Sequence, residues 1–182
     1  PYDKFSFNFS FLLDQLSEEE QKKINQEKKT LSLKRKHVLF HEGTLPSGIY
    51  ILRKGFVKKY TIGLQGKETI FKISREGEVL GYKSVITNKG YPYSACCITD
   101  CTIEYIQSNL FTEILNKSSD FTMLLLKNII SEYGAFMNEV KILSQHNVRE
   151  RVAISLIKLN SLQETSCERI KLSRRDHSSF VG

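Results

Sequence analysis

The 182 residues carry 27 Lys and Arg against 20 Asp and Glu, a formal net charge of +7, and 40% of them are hydrophobic. That balance excludes a disordered or fibrous chain and leaves room for one or two folded domains. No apolar run approaches the roughly 18 residues of a membrane span, and the cationic excess favours an acidic partner such as nucleic acid.

The chain opens with Phe5, Phe7, Phe9, Phe11, Leu12 and Leu13, with Leu16 beyond them. These read as a lead-in and one helical turn. They are flanked by Asp3, Lys4 and Asp14 and lack a small-residue cleavage site, so they make a poor secretory leader and a cytoplasmic setting is expected. From Ser17 the run SEEEQKKINQEKK predicts a surface helix. Ser17 and Glu20 have capping-box spacing, and the acidic first turn suits the helix dipole.

From Thr30 the pattern changes. Leu31 and Leu33 alternate with polar residues, and HVLFHEG, GIYILRKG, FVKKYTIG, KETIFKIS, REGEVLGYKS, YSACCITD and CTIEYIQ follow. Within GIYILRKG, Ile49 and Ile51 share one face. Short apolar segments recurring every 8 to 12 residues or so, punctuated by glycine, predict an antiparallel β-roll of the jelly-roll type. Gly43, Gly55, Gly66, Gly77 and Gly81 are expected at positive φ or in tight turns.

The cysteines are Cys96, Cys97, Cys101 and Cys167. None has CxxC spacing, so they read as buried thiols in a reducing compartment. An iron–sulfur or redox site on the Cys96-Cys97-Cys101 run is disfavoured, because residues 96 and 101 would face opposite sides of a single strand. His37 and His41 beside Glu42 would suit a metal-binding β-roll enzyme, but no third histidine occurs between His41 and His146. No catalytic residue, metal or cofactor is therefore expected.

A short helix is predicted over residues 108–115 and a long one over residues 119–147, the latter free of proline and with Gly134 as its only glycine. Ser118, Ser119 and Asp120 suit its start. At 1.5 Å per residue it would be roughly 40 Å long. Leu125, Ile129, Phe136, Val140 and Leu143, joined by Tyr133, form one apolar line, assigned here to a dimer face. Leu124, Leu126, Ile130, Met137 and Ile142 form another. Asn147 is a plausible N-cap for a further helix carrying Val148, Val152, Ile154, Leu156, Ile157 and Leu159. The polar break QETSCE precedes a small strand around Ile170 and Leu172. Ser173 then caps a final helix, SRRDHSSFVG, with Asp176 in the capping-box position.

The segments EG at 42–43, RKG at 53–55, GK at 66–67, EGEVLG at 76–81 and RERVA at 149–153, in this order and followed by SRRD…FVG, resemble the Crp/Fnr superfamily of bacterial transcription regulators. The resemblance runs from about Leu12 to Gly182. It implies an α+β architecture: a cyclic-nucleotide-binding-like β-roll sensor over residues 1–117, a dimerisation helix over 118–147, and the first part of a winged helix-turn-helix over 148–182. The recognition helix is expected after Gly182. The implied function is binding of near-palindromic double-stranded DNA by a homodimer, without enzymatic activity. RNA polymerase and a small-molecule effector are the further partners implied, and no membrane is. The alternative is a dimeric sensing or interaction module that reads no DNA.

In nucleotide-binding members the phosphate cassette begins Gly-Glu-Leu and ends Arg-Ser/Ala-Ala. Here the corresponding pieces are Gly81, Tyr82, Lys83 and Ser84, and Tyr93, Ser94 and Ala95. Tyr82 replaces the ribose-binding carboxylate and Tyr93 the phosphate-binding arginine. Lys83 offers a point charge but not the bidentate fork. Cyclic AMP is therefore not expected to bind in the usual way. The two tyrosines either fill the pocket or line a remodelled one for an apolar or aromatic effector. No cysteine precedes Cys96, which argues against the iron–sulfur oxygen sensing of some members. Ser173, Arg174 and Arg175 are implied phosphate contacts. His177 and Ser178 stand where the family pattern has Leu and Ala, and residues 145–147 are the implied hinge.

Overall fold

The computed structural model describes residues 9–13, 15–164 and 170–182. Two short helices, α1 (Phe9–Leu13) and α2 (Glu18–Glu27), lead into β1 (Lys29–Leu33), β2 (Val38–Phe40), β3 (Gly48–Lys54), β4 (Val57–Ile62), β5 (Glu68–Ser74) and β6 (Val79–Leu80). Helix α3 (Tyr82–Thr87), strands β7 (Ser94–Cys97) and β8 (Cys101–Gln107), and helices α4 (Ser108–Lys117), α5 (Ser119–Gln145), α6 (Val148–Glu164) and α7 (Arg174–Val181) follow. The strands form two four-stranded antiparallel sheets, in the orders β1-β8-β3-β6 and β2-β7-β4-β5. The expected β-roll is present.

Three apolar layers follow from the period-two alternation of the strands. Between the sheets lie Leu52, Leu80 and Ile103 from one and Phe40, Val57, Ala95 and Cys97 from the other, with Tyr91 stacked on Phe40 at 3.8 Å. The outer face of the β1-β8-β3-β6 sheet presents Ile49, Ile51 and Ile106 to Phe9, Leu12, Phe111, Phe121 and Leu125 of α1, α4 and α5. Phe121 sits edge-on to both Phe9 and Phe111. The outer face of the other sheet presents Tyr60, Ile70, Ile73 and Cys96 to Leu159 and Leu162 of α6, Phe180 of α7, and Ile170 and Leu172 between them.

Local signals act as their chemistry requires. The Ser17–Glu20 capping box is complete, Ser118 accepts from the Phe121 amide, and Asn147 and Glu150 exchange backbone-to-side-chain bonds at the start of α6. Gly43, Gly55, Gly66, Gly77 and Gly81 all have positive φ. At Gly55 a Cβ would also lie 2.5 Å from the Asp100 carbonyl oxygen, so both conformation and space demand glycine.

Four expectations need correction. No strand forms around Ile170 and Leu172; these residues are irregular, and their side chains gain burial on the sheet face without a ladder partner. The REGEVLGYKS segment contributes only a two-residue strand, because Gly81 at φ +85° turns the chain into α3. Cys96 and Cys101 lie on β7 and β8, one in each sheet, rather than along one strand; Cys96, Cys97 and Cys101 are buried, with the Cys101 thiol donating to the Phe56 carbonyl, and Cys167 lies outside the described residues. The apolar line assigned to a dimer face is divided. Leu125 is buried in the core against α1 and α4, and Ile129 packs on it. Phe136 and Leu143, farther along that line, border a cavity against the chain's own body yet stay 55% and 50% exposed, so only the Leu125 end of the line is taken up by the core. Tyr133 and Val140 instead belong to an exposed seam with Met123, Leu126, Ile130 and Met137. The cause is helical drift: at 3.6 residues per turn, a line begun at Leu125 stays with the roll, while steps of about 3.5 follow a different stripe.

Candidate effector site

Strand β4 carries two lysines in succession, and a strand must send them to opposite faces. Lys58 points outward and holds Glu68 at 2.6 Å and Asp176 of α7 at 2.8 Å. Lys59 points inward and is only 6% exposed. Among the described residues no carboxylate lies within ion-pair distance of it, and its ammonium sits 5.6 Å from the centroid of the Tyr93 ring. Burial first, and then repulsion from Lys72, push the Lys59 ammonium down to about 8, against the pull of Glu78 and Glu132.

Lys59 borders a cavity of about 170 Å³ between the β4–β5 side of the roll and α5. Its walls include Phe71 and Lys72 of β5, Tyr82 and Lys83 of α3, Tyr93, and Glu132, Ala135, Phe136 and Glu139 of α5. Glu132 is the hub: Lys83 reaches it at 2.7 Å, Lys72 at 3.8 Å, and the Tyr82 hydroxyl donates to it at 2.8 Å. Burial alone would raise the Glu132 carboxyl, but Lys59, Lys72 and Lys83 outweigh it and hold it at about 2. Lys72 also pairs with Glu78 at 2.9 Å, and Glu139 with Lys158 of α6 at 2.6 Å. Burial, the facing Glu132 carboxylate and the bond to it raise the Tyr82 phenol, which stays a neutral donor.

Of the cassette residues singled out in the sequence, Tyr82, Lys83 and Tyr93 come together around this cavity. Gly81, Ser84, Ser94 and Ala95 do not line it. Gly81 makes the turn into α3, Ser84 is buried within that helix, the Ser94 hydroxyl accepts from the Glu42 amide, and Ala95 belongs to the inter-sheet core. The tyrosines do not close the cavity. Sequence reasoning missed Lys59 and Glu132. The doublet Lys58-Lys59 inside an otherwise apolar strand was a usable signal for the first; nothing local marks Glu132.

At the other end of the chain Ser173 caps α7, accepting from the Asp176 amide at 3.0 Å and donating to the Asp176 carboxylate at 2.6 Å. Arg174 and Arg175 are exposed. Arg175 borders an open groove with Arg35, Lys36 and Lys58. The polar His177 has a use: its Nε2 lies 3.1 Å from the Ser155 hydroxyl of α6. Among the described residues no His, Cys, Asp and Glu side chains cluster as a metal site, and no helix is long and apolar enough to cross a membrane.

Residues 30–118 match the family model of the cyclic nucleotide-binding domain. Among curated proteins, the chain is 26% identical over 155 residues to the anaerobic regulatory protein of Haemophilus influenzae, covering 82% of this chain and 60% of that one. It is 25% identical over 123 residues to the fumarate and nitrate reduction regulatory protein of Vibrio cholerae, covering 68% of this chain and 49% of the relative. The chain thus spans 60% or less of the length of these relatives. Among solved structures, FixK2 from Bradyrhizobium japonicum superposes with a TM-score of 0.74 at 18% identity, covering 85% of this chain and 77% of that one. The Thermus thermophilus catabolite activator protein superposes at 0.63 and 21%, covering 82% and 70%. Residues 30–118 are thus a cyclic nucleotide-binding domain, in a chain whose homologues are named as regulatory proteins and whose fold is shared with FixK2 and the catabolite activator protein.

Proposed function

We propose that the chain is the sensor and coupling part of a Crp/Fnr-type transcription regulator that binds near-palindromic double-stranded DNA as a homodimer in the cytoplasm. The observation that carries this reading is the exposed seam of α5. Met123, Leu126, Ile130, Tyr133, Met137 and Val140 recur in alternating steps of three and four residues, each more than 40% exposed. Such a stripe is the geometry of a two-stranded coiled coil, and a monomer has no use for it. A two-fold axis along α5 would set two copies of α7 on one side of the dimer, as a palindromic site requires. The relatives' names as regulators, the net charge of +7 and the exposed Arg174 and Arg175 support duplex DNA as the partner.

The division into a sensor over 1–117, a dimer helix over 118–147 and a DNA-binding part from 148 belongs to the same reading. The break at His146, between the end of α5 and the Asn147 cap, is the hinge it needs. The effector site is the cavity against α5, and cyclic AMP is not its ligand in the usual way: Tyr82 bonds to Glu132, and among the described residues no arginine lines the cavity.

Light scattering at several concentrations tests the dimer. The parent chain is expected to run at twice its mass and Ile130→Glu at its monomer mass; a parent that stays monomeric at every concentration sinks the reading. Selection of DNA sites by the full-length protein tests the rest. Enriched inverted repeats are expected, with affinity falling steeply as salt rises.

A further inference from the structure

Among the described residues, Lys59 is the cavity-lining charge with no partner at ion-pair distance; Glu78 and Glu132 attract it only from farther off. Lys83 is met by Glu132, Lys72 by Glu78, and Glu139 by Lys158. A buried ammonium without a counter-ion destabilises a fold, and a methionine of similar length would fill the same space without that penalty. Lys59 faces a cavity of about 170 Å³ whose other walls include the Phe71, Tyr93 and Phe136 rings. From this we infer that the cavity binds a small organic monoanion, a carboxylic acid with an apolar body, whose carboxylate pairs with the Lys59 ammonium. The inference rests on the effector reading above and names the class of that effector.

The charge pattern selects the class. One unmatched positive charge calls for one negative charge. A phosphate dianion would bring its second charge up against Glu132 and Glu139. Lysine is a compact point charge without the planar fork that grips carboxylate or phosphate bidentately, so here the number of charges, not their geometry, selects the ligand. The aromatic walls supply the apolar contact that gives a small ligand most of its affinity. Such a ligand would touch the roll through Lys59 and α5 through Phe136, joining the two elements whose relation a regulator must alter.

The chain is titrated with benzoate, hexanoate, the uncharged benzamide, inorganic phosphate and cyclic AMP, following tyrosine fluorescence and binding heat. Benzoate or hexanoate is expected to saturate, and benzamide and phosphate to bind at least tenfold more weakly. Lys59→Met should lose at least tenfold in carboxylate affinity while melting no lower than the parent; Lys59→Gln serves should the methionine variant fail to fold. Carboxylate affinity should also fall by about tenfold or more between pH 7 and 9.5 as Lys59 sheds its proton. Lys72, Lys83, Glu78, Glu132 and Tyr93 are the other ionisable groups facing it.

Benzamide binding as well as benzoate, or carboxylate binding untouched by the Lys59 variants, overturns the charge assignment but leaves an effector cavity standing. No binding of either carboxylate at millimolar concentration overturns the inference, as does tight cyclic AMP binding in their place. Carboxylate binding through Lys59 that leaves the full-length protein's DNA affinity unchanged upholds the site and removes the effector reading instead.

Discussion

The two sheets of the roll are covered on their outer faces in different ways. The β1-β8-β3-β6 sheet is closed by α1, α4 and the first turns of α5 through a continuous apolar layer, with Phe121 wedged between Phe9 and Phe111. The β2-β7-β4-β5 sheet is closed by α6 and α7 through a smaller apolar patch, and charged clasps ring it: Lys58 to Asp176, Lys158 to Glu139, and Arg35 to the Lys171 carbonyl. An apolar layer is non-directional and comes apart only with the fold. A clasp of ion pairs depends on pH and salt and can open by itself. The first cover should therefore come apart only with the roll, and the second should open before it.

The largest expected effect is on the first cover. Phe121→Ala should cost about 3–5 kcal/mol in denaturant unfolding and lower amide protection throughout the roll. Leu162→Ala removes a buried side chain from the second cover and should cost about 2–3 kcal/mol. Its loss of protection should be confined to α6, α7 and β5, the local opening of a low-stability unit. Equal, global losses in both variants would erase the distinction between the covers.

Asp176→Asn sharpens the comparison at a smaller scale. Lys58 keeps Glu68, so the cost should be about 1 kcal/mol, read as faster proteolysis near α7 with the roll intact. Acid should act in the same place. Burial by itself would raise the Asp176 carboxyl, but hydrogen bonds from Lys58 and Ser173 hold it below its usual value of 3.8. A depressed carboxylate contributes stability above its unfolded value and loses it as the pH falls through the folded one. The α7 clasp should therefore weaken below a pH of about 3.8. Glu132, held at about 2, should loosen its hold between α5 and the roll over the window from 4.5 down to about 2.

Lys59 has the opposite sign. Its folded value of about 8 lies below the usual 10.5, so between these limits the unfolded chain holds a proton that the folded one has shed. Stability should rise with pH across that window, and Lys59→Met should abolish the rise. The smallest effect is at the surface, where Ser17→Ala breaks an exposed capping box for about 0.5–1 kcal/mol with no influence on either cover.

Much of this architecture was legible in the chain because it is local. Ser17, Ser118, Asn147 and Ser173 announced their helices through bonds that reach only three residues, and Gly43, Gly55, Gly66, Gly77 and Gly81 announced positive φ because no other residue adopts it freely. The β-roll followed from the spacing of short apolar segments. The site was legible only in part. Tyr82, Lys83 and Tyr93 were visible as departures from a family pattern, but Glu132 stands 49 residues beyond Lys83 and joins it only because α5 crosses the roll.

What the sequence determined by itself was the order and type of most elements, α3 and the stretch around Ile170 and Leu172 excepted, since caps, turns and periodicity are properties of neighbouring residues. Tertiary structure decided which stripe of α5 meets the roll, and it left Leu125 and Ile129 inside and Ile130 and Tyr133 outside. It also decided which lysine of a doublet finds carboxylates and which stays alone beside a cavity. Burial and charge pairing depend on what distant segments bring to the same place, and no stretch of chain holds that information on its own.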